Sequence, residues 1–492
     1  MFNSQSFLSR VMGISVVQRQ SLISIASQIA ITFLGFFSTI YFAHALDASI
    51  LGSYFLFLTY YGVITMLTDG GLGGAAIKRI SEGEEKNPYF SAFFVLRSLI
   101  FTIALIGLFI FRNFFIDLNT SGAYFWLLIA LIVSIFHGAV ICGIAGQGKM
   151  GVKAISSFMG DVTRITLQVI AVFLGYSVAG LIGGYIAGLV IGIIIGLRFF
   201  DLHFVRFGLK HIKSLSIFSF WLFLTSGGVI LYGYSDKLII GYYLTNADVG
   251  VYSIVMQFIT IAALTTNAIR GTLWPQVSRW GKIGELRLIE ESLSKAFTYS
   301  FILVIPILIG GVLLGDKLLY FLYGAEYERG YLTLVIVSFI QIINIFQFFY
   351  TSYLSALDHQ KEAFKVTAVG AIINLILSVL LIPIIGIAGA AVATLIALFL
   401  NALLAQRILS KILTIRIELN SLSKILEVSA LMGLLVGVYR LIIPLSNLWL
   451  TLLPVILGSI LYGILILKFD NSIYNEIKKI AVQMNLPWPH WL

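Results

Sequence analysis

Fourteen apolar stretches, each about as long as a bilayer is thick, follow one another along this chain of 492 residues. A helix rises 1.5 Å per residue, so roughly 20 residues cross the hydrocarbon core. The short alternating segments of a membrane β-barrel are absent, which favours helices. The sequence therefore predicts an all-α polytopic membrane protein with spans near 22–43, 49–70, 90–111, 123–145, 155–175, 179–197, 217–243, 249–271, 296–315, 331–354, 366–384, 387–406, 425–443 and 449–467.

The composition excludes an ordinary soluble domain. Hydrophobic residues make up 59% of the chain and charged residues only 11%, against roughly 25% charged residues in soluble proteins. The single cysteine, Cys142, has no internal partner for a disulfide, and the six histidines show no ligand-like spacing. We therefore expect no metal site and no bound cofactor.

The basic residues predict how the chain lies in the membrane. Of the 32 Lys and Arg residues, 24 fall on the side that holds both predicted termini, three fall opposite, and five lie in or beside spans. Cytoplasmic loops are enriched in Lys and Arg, so the basic side is predicted to be cytoplasmic. The sequence therefore predicts a multi-pass protein of the cell (inner) membrane with both termini in the cytoplasm. The net charge of +10 then reflects topology, not binding to nucleic acid.

Two weak internal matches indicate a parallel repeat of six spans. The segment Leu46 to Tyr54 matches Leu244 to Tyr252 as L-x5-G-x-Y. A second match pairs Lys149, Lys153 and Gly180 with Lys361, Lys365 and Gly389. Transporters built from such repeats bind their substrates at the interface between the repeats, so we expect two lobes with a cleft between them.

The repeat predicts seven segments. They are a cytoplasmic lead-in (1–20), an N-terminal six-helix lobe (21–200), a cytoplasmic linker (201–213), a C-terminal six-helix lobe (214–408), a second cytoplasmic linker (409–424), two appended C-terminal helices (425–468) and a cytoplasmic tail (469–492).

Six ionisable side chains lie within or at the ends of predicted spans. Each costs at least roughly 2.5–3.5 kcal/mol near the bilayer centre, so such groups normally face a wet cavity, a substrate or an ionic partner. This favours transport as the function. The six are Arg97, Asp161, Arg164, Asp236, Lys237 and Arg270.

These six residues differ in the partners that the sequence offers. Asp161 and Arg164 are three apart on one helix and can pair in place, which leaves open a role in membrane insertion alone. Asp236 and Lys237 are neighbours and point in different directions. For Arg97 and Arg270 we expect an anionic ligand or an acid on another helix, although Arg270 could instead snorkel to the membrane interface.

Four of these six ionisable groups are basic and two are acidic, and this excess of positive charge favours an anionic substrate. Guanidinium groups bind two phosphate oxygens at once, and a lipid-linked sugar carries phosphate between its head and its tail. We therefore interpret Arg97, Arg164, Lys237 and Arg270 as substrate-binding candidates.

Further polar and small residues fall within the spans. Candidates for hydrogen bonds to sugar hydroxyls are Gln341, Asn344, Gln347 and Asn374, with interhelical hydrogen bonds as the alternative. Glycines recur every fourth residue from Gly180 to Gly196, a pattern that lets another helix approach closely.

Several segments carry a family resemblance. They include Leu244 to Tyr252, Leu273-Trp-Pro-Gln-Val-Ser278, Leu322-Tyr-Gly-Ala-Glu-Tyr327 and Ile382-Pro-Ile-Ile-Gly-Ile-Ala-Gly-Ala390. The Asp69-Gly-Gly-Leu-Gly segment is similar to the end of the family's second span. In these segments the chain resembles a polysaccharide (O-antigen type) flippase of the multidrug/oligosaccharidyl-lipid/polysaccharide exporter superfamily.

The resemblance implies an alternating-access flippase and no enzyme. Its substrate would be a polyprenyl-(di)phosphate-linked oligosaccharide, moved from the cytoplasmic to the outer leaflet for cell-surface polysaccharide or glycoprotein glycan assembly. Basic residues of the cavity would hold the phosphate, and Asp161 and Asp236 would balance charge or take up a coupling proton or other ion. Expected partners are the lipid-linked oligosaccharide, membrane lipids and a glycan polymerase or glycosyltransferases.

Two alternatives stay open on the sequence. A multidrug or cation antiporter of the same superfamily would favour an acidic pocket, whereas the charges here are mostly basic. A membrane glycosyltransferase or ligase would be expected to carry catalytic acids on a sizeable outer loop, but the longest predicted outer loop, 316–330, offers only Asp316, Glu326 and Glu328.

Overall fold

The computed structural model describes residues 16–475 and 478, with side chains from residue 27 onward apart from a few helical positions between 116 and 268. Most of the predicted lead-in (1–20) and tail (469–492) lies outside the described residues. All regular structure in the described part is helical, which confirms the predicted all-α class. The helices are α1 (Val16–Ala45), α2 (Ala48–Asp69), α3 (Leu72–Ser81), α4 (Lys86–Ile110), α5 (Ile116–Thr120), α6 (Ala123–Gly146), α7 (Met150–Phe173), α8 (Val178–Leu197), α9 (Leu209–Tyr243), α10 (Asn246–Ile283), α11 (Leu286–Tyr323), α12 (Tyr331–Ala356), α13 (Gln360–Ile385), α14 (Ile387–Leu409), α15 (Leu419–Ile442) and α16 (Leu448–Phe469). Two 3₁₀ segments, Arg112–Phe114 and Ala325–Gly330, precede α5 and α12.

Each of the fourteen predicted apolar stretches coincides with one long helix. Within the described residues, eleven helical segments are both long and apolar enough to cross a membrane, so the protein is a multi-pass membrane protein. The three long helices outside that set, α7, α9 and α10, carry five of the six ionisable residues that the sequence singled out. The number of fourteen spans stays a prediction.

The described contacts divide the chain into two compact units, Met1–Gly250 and Val251–Leu492. In the first unit, α7 packs on α1 and α8, and α6 packs on α8, while the short helix α3 contacts α4, α6 and α9. Helix α9 also packs on α2 and α4, so it lies with the first unit although the sequence placed it at the start of the C-terminal lobe. The two units are defined by which helices touch, whereas the predicted lobes are defined by a sequence repeat. The lobe boundaries therefore stay a prediction.

Residues 199–208 lead into α9 along a path fixed by α4. The Val205 amide donates to Ser91 Oγ at 2.9 Å, and Lys210 Nζ donates to Glu85 Oε1 at 2.6 Å. This hydrogen bond from Lys210 is the main cause that lowers the pKa of Glu85. The predicted cytoplasmic linker is thus fastened to the first unit along part of its length.

The second unit is built around α11 and α14. Helix α14 packs on α12 and α13, while α11 packs on α12, α15 and α16. Arg440 on α15 donates to both carboxylate oxygens of Asp316 on α11, at 3.0 and 2.8 Å. The Tyr462 hydroxyl on α16 donates to the Ile302 carbonyl on α11 at 2.7 Å. Both appended helices are therefore tied to α11.

The glycines of α8 bring it against two neighbours. A Cβ at Gly188 would lie 2.6 Å from the Gly160 carbonyl oxygen on α7, and a Cβ at Gly160 would lie 2.8 Å from the Gly188 carbonyl oxygen. At Gly196 a Cβ would lie 2.5 Å from Val140 on α6. These approaches leave no room for a side chain and confirm the close helix packing predicted from the glycine spacing.

The two copies of the L-x5-G-x-Y motif contact each other within the first unit. A Cβ at Gly52 near the start of α2 would lie 1.6 Å from the Asn246 carbonyl oxygen, and a Cβ at Gly250 would lie 2.4 Å from the Ala48 carbonyl oxygen. Asn246 Nδ2 also donates to Ser53 Oγ at 2.9 Å. The motif glycines therefore allow backbone to touch backbone where α2 and α10 begin.

The contact between α7 and α8 predicts a selective loss of stability. Gly188→Ala places a methyl group against a backbone carbonyl that cannot rotate away, so we expect the free energy of unfolding to fall by about 1–3 kcal/mol. Thermal unfolding of the detergent-purified protein measures this change.

Gly107→Ala on α4 is the matched control, since a Cβ there meets nothing within 4 Å. It should leave the unfolding midpoint unchanged or raise it, because Ala is the better helix former. Equal midpoints for the two variants would contradict the close approach of α7 and α8.

Candidate functional site

Arg97 lies in a closed polar pocket among α2, α4 and α6. Its side chain forms an ion pair with Asp69, the last residue of α2, and Nη2 donates to the Ser134 carbonyl at 3.3 Å. The guanidinium carbon lies 4.8 Å from the centre of the Phe101 ring. Arg97 is 5% exposed, so in this conformation its charge is neutralised by an acid on another helix.

Two glycine features hold this pocket in place. Asp69 Oδ2 accepts a hydrogen bond from the Gly73 amide at 3.2 Å, across a turn in which Gly70 and Gly71 adopt positive φ angles of 48° and 83°. Such angles are easily reached only by glycine. A Cβ at Gly138 on α6 would lie 2.3 Å from Arg97 Nη2, so this glycine makes the space for the guanidinium.

Asp161 and Arg164 form the in-helix ion pair that their spacing predicts. Arg164 Nη2 lies 2.9 Å from Asp161 Oδ1. Arg164 also interacts with the hydroxyl of Tyr54 on α2, and that hydroxyl accepts a hydrogen bond from Gln168 Nε2 at 2.8 Å. The side chains of the pair are 33% and 21% exposed, so it is less enclosed than Arg97. The structure thus links the ion pair to α2 through Tyr54.

Asp236 and Lys237 are neighbours in the chain near the C-terminal end of α9. Asp236 is 6% exposed. The Lys237 ammonium lies 5.7 Å from the centre of the Phe55 ring on α2, and no carboxylate oxygen of the described residues lies within 4 Å of it. Lys237 therefore lies over an aromatic face, has no carboxylate at ion-pair distance, and is close enough to Asp236 for the two charges to interact.

Arg270 also lies against an aromatic ring, in the second unit, but it is exposed whereas Lys237 is half-buried. Its guanidinium carbon lies 4.9 Å from the centre of the Phe348 ring on α12. Among the residues that the structure describes, no acid forms an ion pair with it. Arg97 and Arg164 thus have carboxylates at ion-pair distance, and Arg97 also lies against Phe101. Lys237 and Arg270 have aromatic contacts and, among the described residues, no carboxylate at that distance.

The predicted sugar-binding residues belong to the second unit and are mostly engaged within it. Asn344 Nδ2 approaches Gln341 Oε1 at 3.4 Å on the same helix, while Gln347 is half-buried one turn further on. Asn374 is 1% exposed and donates to Thr394 Oγ1 on α14 at 2.9 Å. Asn374 therefore makes an interhelical hydrogen bond, the alternative considered for these residues.

An open cavity lies away from all of these residues. It has a volume of about 530 Å³ and occupies the corner between α10 and α11. None of the predicted site residues lines it. Its lining consists of Arg279, Trp280, Ile283, Glu285, Arg287, Leu288 and Glu291.

Sequence reasoning missed three contributors to these arrangements. Asp69 ends a predicted span and stands directly before two glycines, which is the signal that could have marked it as an anchored helix end. Phe55 is one of 38 phenylalanines, and no pattern in the sequence sets it apart. Phe348 belongs to a visible cluster of aromatic residues between Phe346 and Tyr353, but that pattern does not indicate a contact with Arg270.

The Asp69–Arg97 pair predicts a stability effect that depends on which partner is removed. Removing the acid alone leaves a buried guanidinium without compensation, a loss of about 3–5 kcal/mol for a fully buried pair. Because the Asp69 side chain is 30% exposed, we expect Asp69→Ala to lower the free energy of unfolding by about 2–3 kcal/mol.

The double variant with Asp69→Ala and Arg97→Met removes both charges and should be more stable than Asp69→Ala alone. A double-mutant cycle of thermal unfolding midpoints tests this coupling. Strictly additive midpoints would show that the two side chains do not depend on each other.

Three comparisons relate the chain to known proteins. The family profile described as polysaccharide biosynthesis protein matches residues 17–280. A Haloferax volcanii protein named "Probable low-salt glycan biosynthesis flippase Agl15" is 27% identical over 449 residues, which cover 91% of this chain and 94% of that protein. Another from the same organism, named "Probable flippase AglR", is 24% identical and covers 94% of this chain and 98% of its own length.

Solved structures share the fold. The lipid II flippase MurJ in an inward closed conformation superposes with a TM-score of 0.75 at 18% identity, covering 93% of this chain and 99% of that chain. An inward-facing multidrug transporter of the MATE family and MOP superfamily superposes with a TM-score of 0.63 at 12% identity, covering 79% of this chain and 98% of that chain. The profile match extends over more than half of the chain, and so this protein belongs to the polysaccharide biosynthesis protein family.

Proposed function

We propose that this protein is a flippase that moves a polyprenyl-(di)phosphate-linked oligosaccharide from the cytoplasmic to the outer leaflet by alternating access. Such a step serves cell-surface polysaccharide or glycoprotein glycan assembly. The observation that carries the proposal is the match over more than nine-tenths of the chain to two proteins named as flippases, one of them in glycan biosynthesis. A lipid-linked glycan joins a polar head to an apolar tail, so it requires a protein with a polar path across the membrane.

The proposed phosphate-binding groups are Arg97, Arg164, Lys237 and Arg270. Of these, Lys237 and Arg270 have no carboxylate of the described residues within 4 Å, so their charge is available to a phosphate without breaking an ion pair. Arg97 and Arg164 would first have to leave Asp69 and Asp161. The proposal therefore rests most heavily on Lys237 and Arg270.

Asp161 and Asp236 are proposed as charge-balancing or coupling groups. Asp161 neutralises Arg164 in this conformation, and protonation of Asp161 would free that cation. Asp236 is buried beside Lys237 in the sequence. Both positions suit a group whose charge changes during a transport cycle.

The sugar head is proposed to meet Gln341, Asn344, Gln347 and Asn374. Gln347 is the half-buried member for which the described contacts include no side-chain hydrogen bond. Asn374 would have to exchange its Thr394 partner for a sugar hydroxyl. Gln347 is thus the member of this group whose amide is most available.

The protein is proposed to reside in the cell (inner) membrane with both termini in the cytoplasm. The support is the excess of Lys and Arg in the segments of one side. Its proposed partners are the glycosyltransferases that build the glycan and the polymerase that joins glycan units. A flippase receives its substrate from the first and delivers it to the second.

A multidrug or cation antiporter is the competing transporter, because the MATE fold is shared. Cationic drugs would require an acidic pocket, whereas the two cations without carboxylate partners described above would repel them. The named relatives equally favour a transporter over a glycosyltransferase or ligase.

Liposomes that contain the protein and a labelled polyprenyl-diphosphate-linked oligosaccharide test the proposal. Label in the inner leaflet should become accessible to an outside quencher. Lys237→Ala and Arg270→Ala should each slow this exposure about tenfold or more, because a hydrogen bond to a charged group contributes about 1.5–3 kcal/mol. Arg97→Ala and Arg164→Ala should also slow it, and their unfolding midpoints must be compared.

Arg287→Ala is the matched control, since that side chain is 88% exposed beyond the predicted spans. Its rate should equal that of the wild type. Unimpaired exposure of the label by both Lys237→Ala and Arg270→Ala would contradict the site assignment, and transport of a cationic drug without movement of the glycan would favour the antiporter.

A further inference from the structure

The four proposed phosphate-binding cations fall into two groups, according to whether a carboxylate lies at ion-pair distance from them. Arg97 uses Nη1 for Asp69 and Nη2 for the Ser134 carbonyl. Arg164 uses Nε and Nη2 for Asp161, at 3.1 and 2.9 Å. Both terminal nitrogens of Arg97 and the Nε–Nη2 edge of Arg164 are therefore engaged, while Arg97 Nε has no hydrogen-bond partner among the described residues. The charge of each guanidinium is neutralised by a carboxylate nearby.

Lys237 and Arg270 are placed differently. The Lys237 ammonium lies 5.7 Å from the centre of the Phe55 ring, and the Arg270 guanidinium carbon lies 4.9 Å from the centre of the Phe348 ring. Both rings are half-buried. Within the described ranges, neither cation has a carboxylate oxygen at ion-pair distance, and the acid that acts on Lys237 through space is its chain neighbour Asp236.

An aromatic face stabilises a cation without cancelling its charge. The ring attracts the cation through its quadrupole, and the effect grows when water is excluded. Arginine stacks on a ring through its flat face, while its N–H donors point outward along the edge. A lysine ammonium has three donors, so one can face the ring while two remain available. A phosphate can therefore bind while the ring contact persists.

We propose that Phe55 and Phe348 are positioning residues that hold Lys237 and Arg270 in place with their charge open to a phosphate group. This inference rests on the proposed flippase function and deepens it. The rings do not touch the substrate; they act through the cations. A carboxylate in either place would compete with the phosphate for the same donors.

The same two rings could instead pack only against the aliphatic stems of Lys237 and Arg270, as aromatic residues often do. Packing depends on volume, whereas a quadrupole depends on an aromatic ring. Leucine and tryptophan separate these two roles, because leucine keeps an apolar contact and tryptophan offers the strongest cation–π face.

The experiment measures binding of a fluorescent short-chain polyprenyl diphosphate to the full-length protein in detergent. We expect Phe348→Leu to raise the dissociation constant about 3- to 10-fold, and Phe348→Trp to leave it unchanged or lower it. Phe55→Leu should act like Phe348→Leu, by a smaller factor because the ring is more distant. Arg270→Ala gives the reference for complete loss of this cation.

Two controls separate a local effect from a general one. Phe339→Leu changes an exposed aromatic residue of the same helix, at 49% exposure, and should leave the dissociation constant unchanged. The unfolding temperature of each variant shows whether Phe348→Leu has merely loosened α12. If Phe348→Leu binds more weakly at an unchanged unfolding temperature and Phe348→Trp restores binding, the positioning role is supported.

Two results would overturn the inference, and they differ in what they say about function. If the wild type binds the probe and Arg270→Ala does not, while Phe348→Leu binds like the wild type, the positioning role fails and the flippase function stands. If the wild type binds no polyprenyl diphosphate, the proposed substrate fails and the positioning role fails with it.

Discussion

A charged side chain within an apolar helix bundle must be neutralised, hydrated or placed against a polarisable surface, and this constraint organises the protein. Two cations of the first unit meet it with carboxylates, Arg97 with Asp69 and Arg164 with Asp161. Lys237 and Arg270 meet it with aromatic rings. The helices must be arranged so that each cation finds its partner, because an isolated charge would oppose insertion into the membrane. The ion pairs therefore neutralise their cations, whereas the aromatic contacts do not.

Helix positions could be predicted from the sequence because a membrane of fixed thickness requires apolar stretches of fixed length. All fourteen stretches coincide with long helices. The Asp161–Arg164 pair was equally accessible, since a separation of three residues fixes the geometry on one helix. The Asp69–Arg97 pair could not be predicted, because the two residues are 28 positions apart in the chain and their contact depends on how α2, α4 and α6 pack. Cross-helix partners of this kind leave no periodic signal.

The path of the chain between α8 and α9 also could not be predicted from the sequence. Polar and basic residues there indicate a cytoplasmic linker, and composition alone cannot distinguish a free tether from a fastened one. In the structure, side chains of α4 and its preceding turn hold this segment through Ser91 and Glu85. The same contacts help to explain why α9 lies with the first unit, since the segment delivers its first turn directly to α4.

The meeting of Gly52 and Gly250 has a consequence for substitution at either position. Each glycine leaves the space into which the backbone at the start of the other helix fits. A side chain introduced at either position would push both helices apart at once. The two positions, nearly two hundred residues apart in the chain, therefore share one steric limit on what can replace them.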